Sequence, residues 1–364
     1  MNTWNINCQL EQEFSIIETY DLTNNNFLKN HIDFNKRQII IVDKKISLLY
    51  SDFLDIFPDA VILKLQIEET QKNLQSIEKI INFFNHNNLL RREEVIAIGG
   101  GVLLDLVGFA CSIYRRGIPY IKIPTTLLAY VDASIGTKVG INYLGKRNRL
   151  GSYYPPSKVL LDKKFFKTQE EKQIINGIGE ILKLAIISNL KLFELIEQGN
   201  NIVSNSLQNS DEILFQSIDT MVNELQNNLY ERNLKRPVDF GHTFSPMIEM
   251  KNLPSMLHGE AVMLDCFFSC CLSYYKNFIT KQDLNRIYNC IRKYKLPTFH
   301  SDFADINLIL MSLEETTLHR DGYQNIPLPK TLGKNIITNG VTSDDLKKTI
   351  EIFLEYENSI NHRN

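Results

Sequence analysis

Four short apolar runs constrain this chain more than any other feature: RQIIIVD (37–43), AVILKL (60–65), VIAIGGG (95–101) and YIKIPTT (120–126). RQIIIVD is β-branched and almost continuously apolar, which predicts a strand covered on both faces. The other three read as strands beside it. QKNLQSIEKIINFFNHNNL (71–89) places apolar residues at helical spacing, and VLLDLVGFACSIYRRG follows the third run as a second helix. Strands alternating with helices predict a parallel, Rossmann-like sheet. After about residue 165 the pattern becomes helical, with long periodic segments over 211–233, 258–278 and 281–296. The expected fold is therefore α/β, with a Rossmann-like domain over residues 1–165 and a mostly α-helical domain over 166–364. A chain of 364 residues exceeds what one core comfortably holds.

Composition excludes several functions. The formal net charge is −2, so nothing points to nucleic acid or an anionic membrane surface. No apolar stretch reaches the roughly 18 residues of a membrane span. The opening MNTWNINCQLEQEF has neither a basic start nor a long apolar run, so no signal peptide is expected and the chain reads as cytoplasmic. The six cysteines, Cys8, Cys111, Cys266, Cys270, Cys271 and Cys290, include no CxxC pair. Cys266, Cys270 and Cys271 follow helix-core spacing in an apolar run and predict buried thiols.

Three segments carry chemistry. IAIGGGVLLD ends a strand in Gly99, Gly100 and Gly101 before a helix, where backbone N–H groups can meet a phosphate. A tight turn would use the same glycines. Asp43 closes the first strand, either as a turn residue or as a ribose-hydroxyl acceptor. YRRG, DASIGTKVGIN and GKRNRLGSYYPP bring Arg116, Lys138, Arg147 and Asn148, which could converge on a phosphate monoester, although a charge run by itself more often marks a solvated basic loop. NGIGEILKLAI, DFGHTF and LHGEAV supply Glu180, His242 and His258. A His₂Glu set leaves an open coordination position, as a catalytic zinc site does. Capping and core histidines are the alternative, and Glu260 is a competing ligand.

Seven segments occur in a fixed order: GGGVLLD, YRRGIPYIKIPTTLLAYVDASIG, KVGIN, KRNRLG, GIGEILK, DFGHTF and LHGEAV. This order resembles the sugar-phosphate cyclases, the superfamily of 3-dehydroquinate synthase. The resemblance implies an NAD-binding α/β domain, a metal-binding helical domain and an active site between them. It implies Glu180, His242 and His258 as ligands of one divalent metal, zinc or cobalt. Asp43, Glu69, Lys72, Gly99, Gly100, Gly101, Asp105, Thr125, Thr126, Lys138 and Arg147 are implied as NAD contacts. Lys138, Asn148 and Arg116 are implied as phosphate binders with Arg320 nearby, Arg116 reaching the site of a neighbouring subunit in a homodimer. Lys183, Asp132, Asp239 and Asp265 are implied to position hydroxyls.

The departures point within the superfamily. GHTFSPM stands where dehydroquinate synthases read GHTFGHA, so Pro246 replaces a histidine. Asp239 replaces an asparagine, Met221 a lysine, Lys235 an arginine and Asp265 a small residue. These exchanges predict a pocket poor in cations and suited to polyol hydroxyls. RPVDFGHTFSP, KRNRLGSYYPP and HRDGYQNIPLP resemble the sedoheptulose 7-phosphate cyclases, of which 2-epi-5-epi-valiolone synthase is the best-known type. Synthases of 2-epi-valiolone and desmethyl-4-deoxygadusol are sister activities. A glycerol dehydrogenase-like polyol dehydrogenase and a true 3-dehydroquinate synthase are the alternatives.

Overall fold

A computed structural model describes residues 13–22, 25–199 and 211–361, so Cys8 lies outside the described residues. In chain order the strands are β1 (Ser15–Thr19), β2 (Ile39–Asp43), β3 (Val61–Leu65), β4 (Val95–Gly99), β5 (Tyr120–Pro124), β6 (Lys138–Tyr143), β7 (Lys146–Tyr153) and β8 (Lys158–Asp162). Six of them form one sheet in the order β1-β8-β5-β4-β2-β3, and every pair is parallel. All five residues of β4 and of β5 are buried, which is why those runs show no polar face. The chain leaves β2 toward β3, then returns to β4 on the other side of β2. That reversal opens a crevice at the carboxyl ends of β2 and β4, where doubly wound sheets bind ligands. Asp43 and Gly99 end these two strands.

The basic segment 138–153, read as loop from its polar composition, is an antiparallel hairpin of β6 and β7. Its backbones meet closely at two glycines: a Cβ on Gly140 would lie 2.6 Å from the Leu150 carbonyl. The edge strand β1 and its neighbour β8 were also not anticipated.

From Glu171 the chain is mostly helical. The His258–Tyr275 helix runs through the middle of this part and carries Cys266, Cys270 and Cys271, all buried as thiols. The helix expected over 211–233 ends at Leu225. A second hairpin, β9 (Ile326–Thr331) with β10 (Lys334–Thr338), interrupts the helical series. No helix among the described residues is long and apolar enough to cross a membrane.

Candidate active site

Glycine contacts assemble the metal candidates. Glu180 lies on the Glu171–Ser188 helix and His258 opens the His258–Tyr275 helix. The two helices touch backbone to backbone: a Cβ on Gly179 would lie 2.6 Å from the Gly259 carbonyl oxygen, and one on Gly259 would lie 1.9 Å from that of Asn176. No larger residue fits either position, so GIGE and HGE bring their neighbours Glu180 and His258 together. His242 arrives on a turn in which Gly241 has φ +78°, a conformation side chains rarely adopt.

The ligand atoms of Glu180, His242 and His258 all lie within 4.8 Å of one another. His258 Nε2 is 3.1 Å from Glu180 Oε1. Glu180 is fully buried, and neither carboxylate oxygen receives a well-aligned hydrogen bond. Lys183 Nζ, 2.5 Å from Oε2, is its cationic neighbour. A buried carboxylate left in this state beside two imidazoles has the donor set of a divalent cation site. Burial and the Lys183 charge push the His242 imidazole down to about 3, so it stays neutral and able to ligate. Burial opposes charge on Lys183 too, but Glu180 and Asp132 outweigh it and hold the ammonium protonated. Glu260 takes no part in the cluster; its Oε2 accepts from Leu257 N at 2.8 Å and caps the helix.

A cavity of about 1460 Å³ joins this cluster to the end of the parallel sheet. Gly100 caps the Gly101–Ile113 helix, and a Cβ on it would lie 3.2 Å from Thr126 Cγ2. Gly101 meets Ala133 Cβ at the same distance. This cradle of free N–H groups, lined also by Thr125, Thr126 and Asp105, fits a dinucleotide pyrophosphate. Gly99 lies beneath it, packed on Leu103. Lys72 Nζ donates to Asp105 Oδ2 and to Asn148 Oδ1, both at 2.6 Å, so a nucleotide candidate holds a phosphate candidate in place. Glu69 accepts from Asn142 Nδ2 at 2.8 Å. Asp43 Oδ1 caps the next helix through the Lys45 and Ile46 amides, yet the residue still lines the cleft.

On the opposite wall Asp239 pairs with Arg236, and Arg320 Nη2 lies 3.5 Å from its Oδ2. Burial opposes the Asp239 charge, but Arg236, Lys138 and Arg320 hold the carboxyl well below the usual range. Lys138 pairs with Glu231. Met221 and Pro246 line the same cleft.

Two expectations change. Asp265 does not reach the cavity: its Oδ2 accepts from the backbone N–H groups of Thr243 (2.9 Å), Phe244 (2.6 Å) and Ser245 (2.8 Å), and Oδ1 from Ser269. It fastens the His242 turn to the His258 helix and has no oxygen left for a substrate hydroxyl. The cleft is not stripped of cations either. Lys235 is exposed, but Arg236 is 5% exposed and lines the cavity with Arg320. Arg116 is exposed and lies outside this chain's own cleft.

Sequence reasoning missed Arg236, Glu231, Glu249 and Lys122. Lys122 is fully buried in β5 and donates to the carbonyls of Ala133 (3.0 Å) and Gly136 (2.9 Å), supporting the turn between Asp132 and Lys138 from behind. A lysine inside an otherwise apolar strand was the available signal.

The sequence matches the 3-dehydroquinate synthase N-terminal family over residues 62–176 and the corresponding C-terminal family over 177–315. It is 37% identical to a 2-epi-5-epi-valiolone synthase of Streptomyces albus, over 87% of this chain and 80% of that protein. It is 33% identical to a 3-dehydroquinate synthase of Helicobacter pylori, over 88% and 93%. Among solved structures it superposes on ValA, a 2-epi-5-epi-valiolone synthase from Streptomyces hygroscopicus subsp. jinggangensis 5008 with NAD+ and Zn2+ bound, at a TM-score of 0.94 and 34% identity, over 97% of this chain and 100% of that one. The chain belongs to the 3-dehydroquinate synthase family.

Proposed function

We propose that this chain is a phosphate-eliminating cyclase of the 2-epi-5-epi-valiolone synthase type, acting on sedoheptulose 7-phosphate with NAD and one divalent metal, zinc or cobalt. The observation that carries this reading is the placement of Asp239, Met221 and Pro246. Of the five departures from the dehydroquinate synthase pattern these three line the cavity beside the Glu180–His242–His258 cluster, whereas Lys235 and Asp265 do not. Substitutions that changed nothing about the substrate would have no reason to converge there.

Glu180, His242 and His258 would hold the metal, and the Gly100–Gly101 turn with Asp43 and Lys72 would hold the dinucleotide. When bound, the metal polarises a carbinol oxygen, and NAD+ takes up a hydride and returns it, so the cofactor is not consumed. Lys183, kept protonated between Glu180 and Asp132, donates to a substrate oxygen near the metal ligands. Asp239, kept ionised by Arg236 and Arg320, accepts from substrate hydroxyls. Asn148 has its Oδ1 occupied by Lys72, which leaves its amide N–H to donate to phosphate alongside Lys138 and Arg320. The carbon next to the new ketone loses a proton, and phosphate leaves from the carbon beyond it by β-elimination, which forms the double bond between those two carbons. The opened chain closes by an intramolecular aldol step, favoured because the cavity walls hold both ends. Arg116 completes the phosphate site of a neighbouring copy in a homodimer; its place outside its own cleft supports this. A small phosphorylated sugar as substrate fits a cytoplasmic enzyme.

The test incubates the purified chain with NAD+, Co2+ or Zn2+ and sedoheptulose 7-phosphate, with 3-deoxy-D-arabino-heptulosonate 7-phosphate in parallel, following phosphate and NADH together. Phosphate from the first substrate alone, without NADH, is the expected result, and NMR of the product names the cyclitol. Phosphate from the second alone makes the chain a 3-dehydroquinate synthase. NADH without phosphate makes it a polyol dehydrogenase.

A further inference from the structure

One buried carboxylate beside the metal candidates takes no part in the reading above. Glu249, on the Ser245–Lys251 helix, is 1% exposed. Its Oε2 lies 3.1 Å from His258 Nδ1 and also receives the Arg147 guanidinium. Arg147 belongs to β7, in the part of the chain that carries the nucleotide cradle. The opposite edge of the same imidazole presents Nε2 to Glu180 Oε1 at 3.1 Å. His258 therefore lies between two carboxylates, one per ring nitrogen. A carboxylate beside Nδ1 favours the tautomer with its proton there, which leaves the Nε2 lone pair for a metal.

Arg147 complicates this arrangement in a useful way. Its Nη1 lies 2.7 Å from His258 Nδ1. With Nδ1 protonated, both atoms are donors, and only the Glu249 carboxylate reconciles them. Arg147 thus draws on the same negative charge that orients His258 and adds a positive charge beside the cation site.

We propose that Glu249 is a positioning residue for the metal, holding His258 by Nδ1 so that Nε2 faces Glu180, and that Arg147, sharing the same carboxylate oxygen, ties this metal arm to the nucleotide side of the cleft. The proposal rests on the Glu180–His242–His258 reading and goes beyond it by giving the two outer residues different effects on metal affinity. Glu249→Gln weakens metal binding. Arg147→Met leaves it equal or tighter, because Glu249 then serves His258 alone and the neighbouring positive charge is gone.

The test uses the full chain, stripped of metal and titrated with Co2+ or Zn2+ against a chromophoric chelator, without NAD+ or substrate. Wild type binds, and His258→Ala binds with no measurable affinity. Glu249→Gln raises the metal Kd about 10–100-fold and alters the Co2+ d–d absorption. Wild-type affinity and spectrum in Glu249→Gln overturn the role of Glu249. A loss in Arg147→Met as large as that in Glu249→Gln overturns the role of Arg147. A wild type that binds no metal removes the metal reading itself, a distinct failure. Should Glu249→Gln not fold, histidine-selective 15N NMR of the zinc-loaded wild type decides: His258 protonated at Nδ1 supports the proposal, and a proton at Nε2 refutes it.

Discussion

The two arms of the cleft are built in opposite ways. The nucleotide arm is local: Gly99, Gly100 and Gly101 are consecutive, and one strand-to-helix turn supplies its N–H groups. The proposed metal arm draws Glu180, His242 and His258 from three separate segments. What holds that arm together is not its ligands but the glycine contact between two helices and the Asp265 carboxylate under the His242 turn. A local site tolerates distant change, whereas an assembled site inherits every weakness of its scaffold.

The sharpest break in this comparison is His258→Ala. It should abolish metal retention and turnover, a loss beyond the roughly 10–100-fold that outer-shell partners command. NAD+ binding should survive, because the glycine turn shares no ligand with His258; tryptophan-independent calorimetry on the metal-stripped variant checks this. Joint loss of both would mean the arms are one unit.

Next in size is the contrast between two buried aspartates. Asp265→Ala strands three backbone N–H groups, and unsatisfied buried donors cost about 1–3 kcal/mol each. A large fall in Tm, or insoluble protein, is expected. Asp239→Asn lies on the open cavity wall and should keep the fold while lowering kcat/KM. Equal melting of the two variants would erase the distinction between scaffold and site.

Gly100→Ala probes the other arm. The added methyl presses on Thr126 Cγ2 and occupies the phosphate approach. NAD+ affinity should fall roughly tenfold, about 1.4 kcal/mol, with metal affinity unchanged. Unaltered NAD+ binding would move the pyrophosphate away from this turn.

The smallest effect is expected at the mouth of the cleft. Lys45 Nζ and Glu170 Oε1 meet at 2.5 Å, but both side chains are largely exposed. Such pairs contribute about 0–1 kcal/mol, so Lys45→Ala should leave Tm and kcat nearly unchanged. A large drop in kcat would show that the pair closes the cleft during turnover.

Much of this was legible in the chain itself. The runs at 37–43, 60–65, 95–101 and 120–126 each contain a strand of the parallel sheet, because β-branched segments of that length admit little else. The hairpin at 138–153 escaped notice because its residues are polar and glycine-rich, and its pairing depends on a partner strand rather than on its own pattern. Glu180, His242 and His258 could be named from their motifs, and the structure brings them together.

Burial and partnership were another matter. Asp239 and Asp265 look alike as departures from a family pattern, yet one faces the cavity among arginines and the other is spent on three amides. Arg236 opens the RPVDFGHTFSP segment and Glu249 lies just beyond it, but nothing in the sequence marks either role, and only the folded chain sets them against Asp239 and His258. Sequence alone determined four strands of the parallel sheet, the glycine turn and the side-chain types offered to the candidate metal cluster, because these follow from backbone sterics and side-chain chemistry over a few neighbouring residues. Tertiary structure alone decided which charges meet, since a buried charge takes its meaning from partners that the chain supplies from far away.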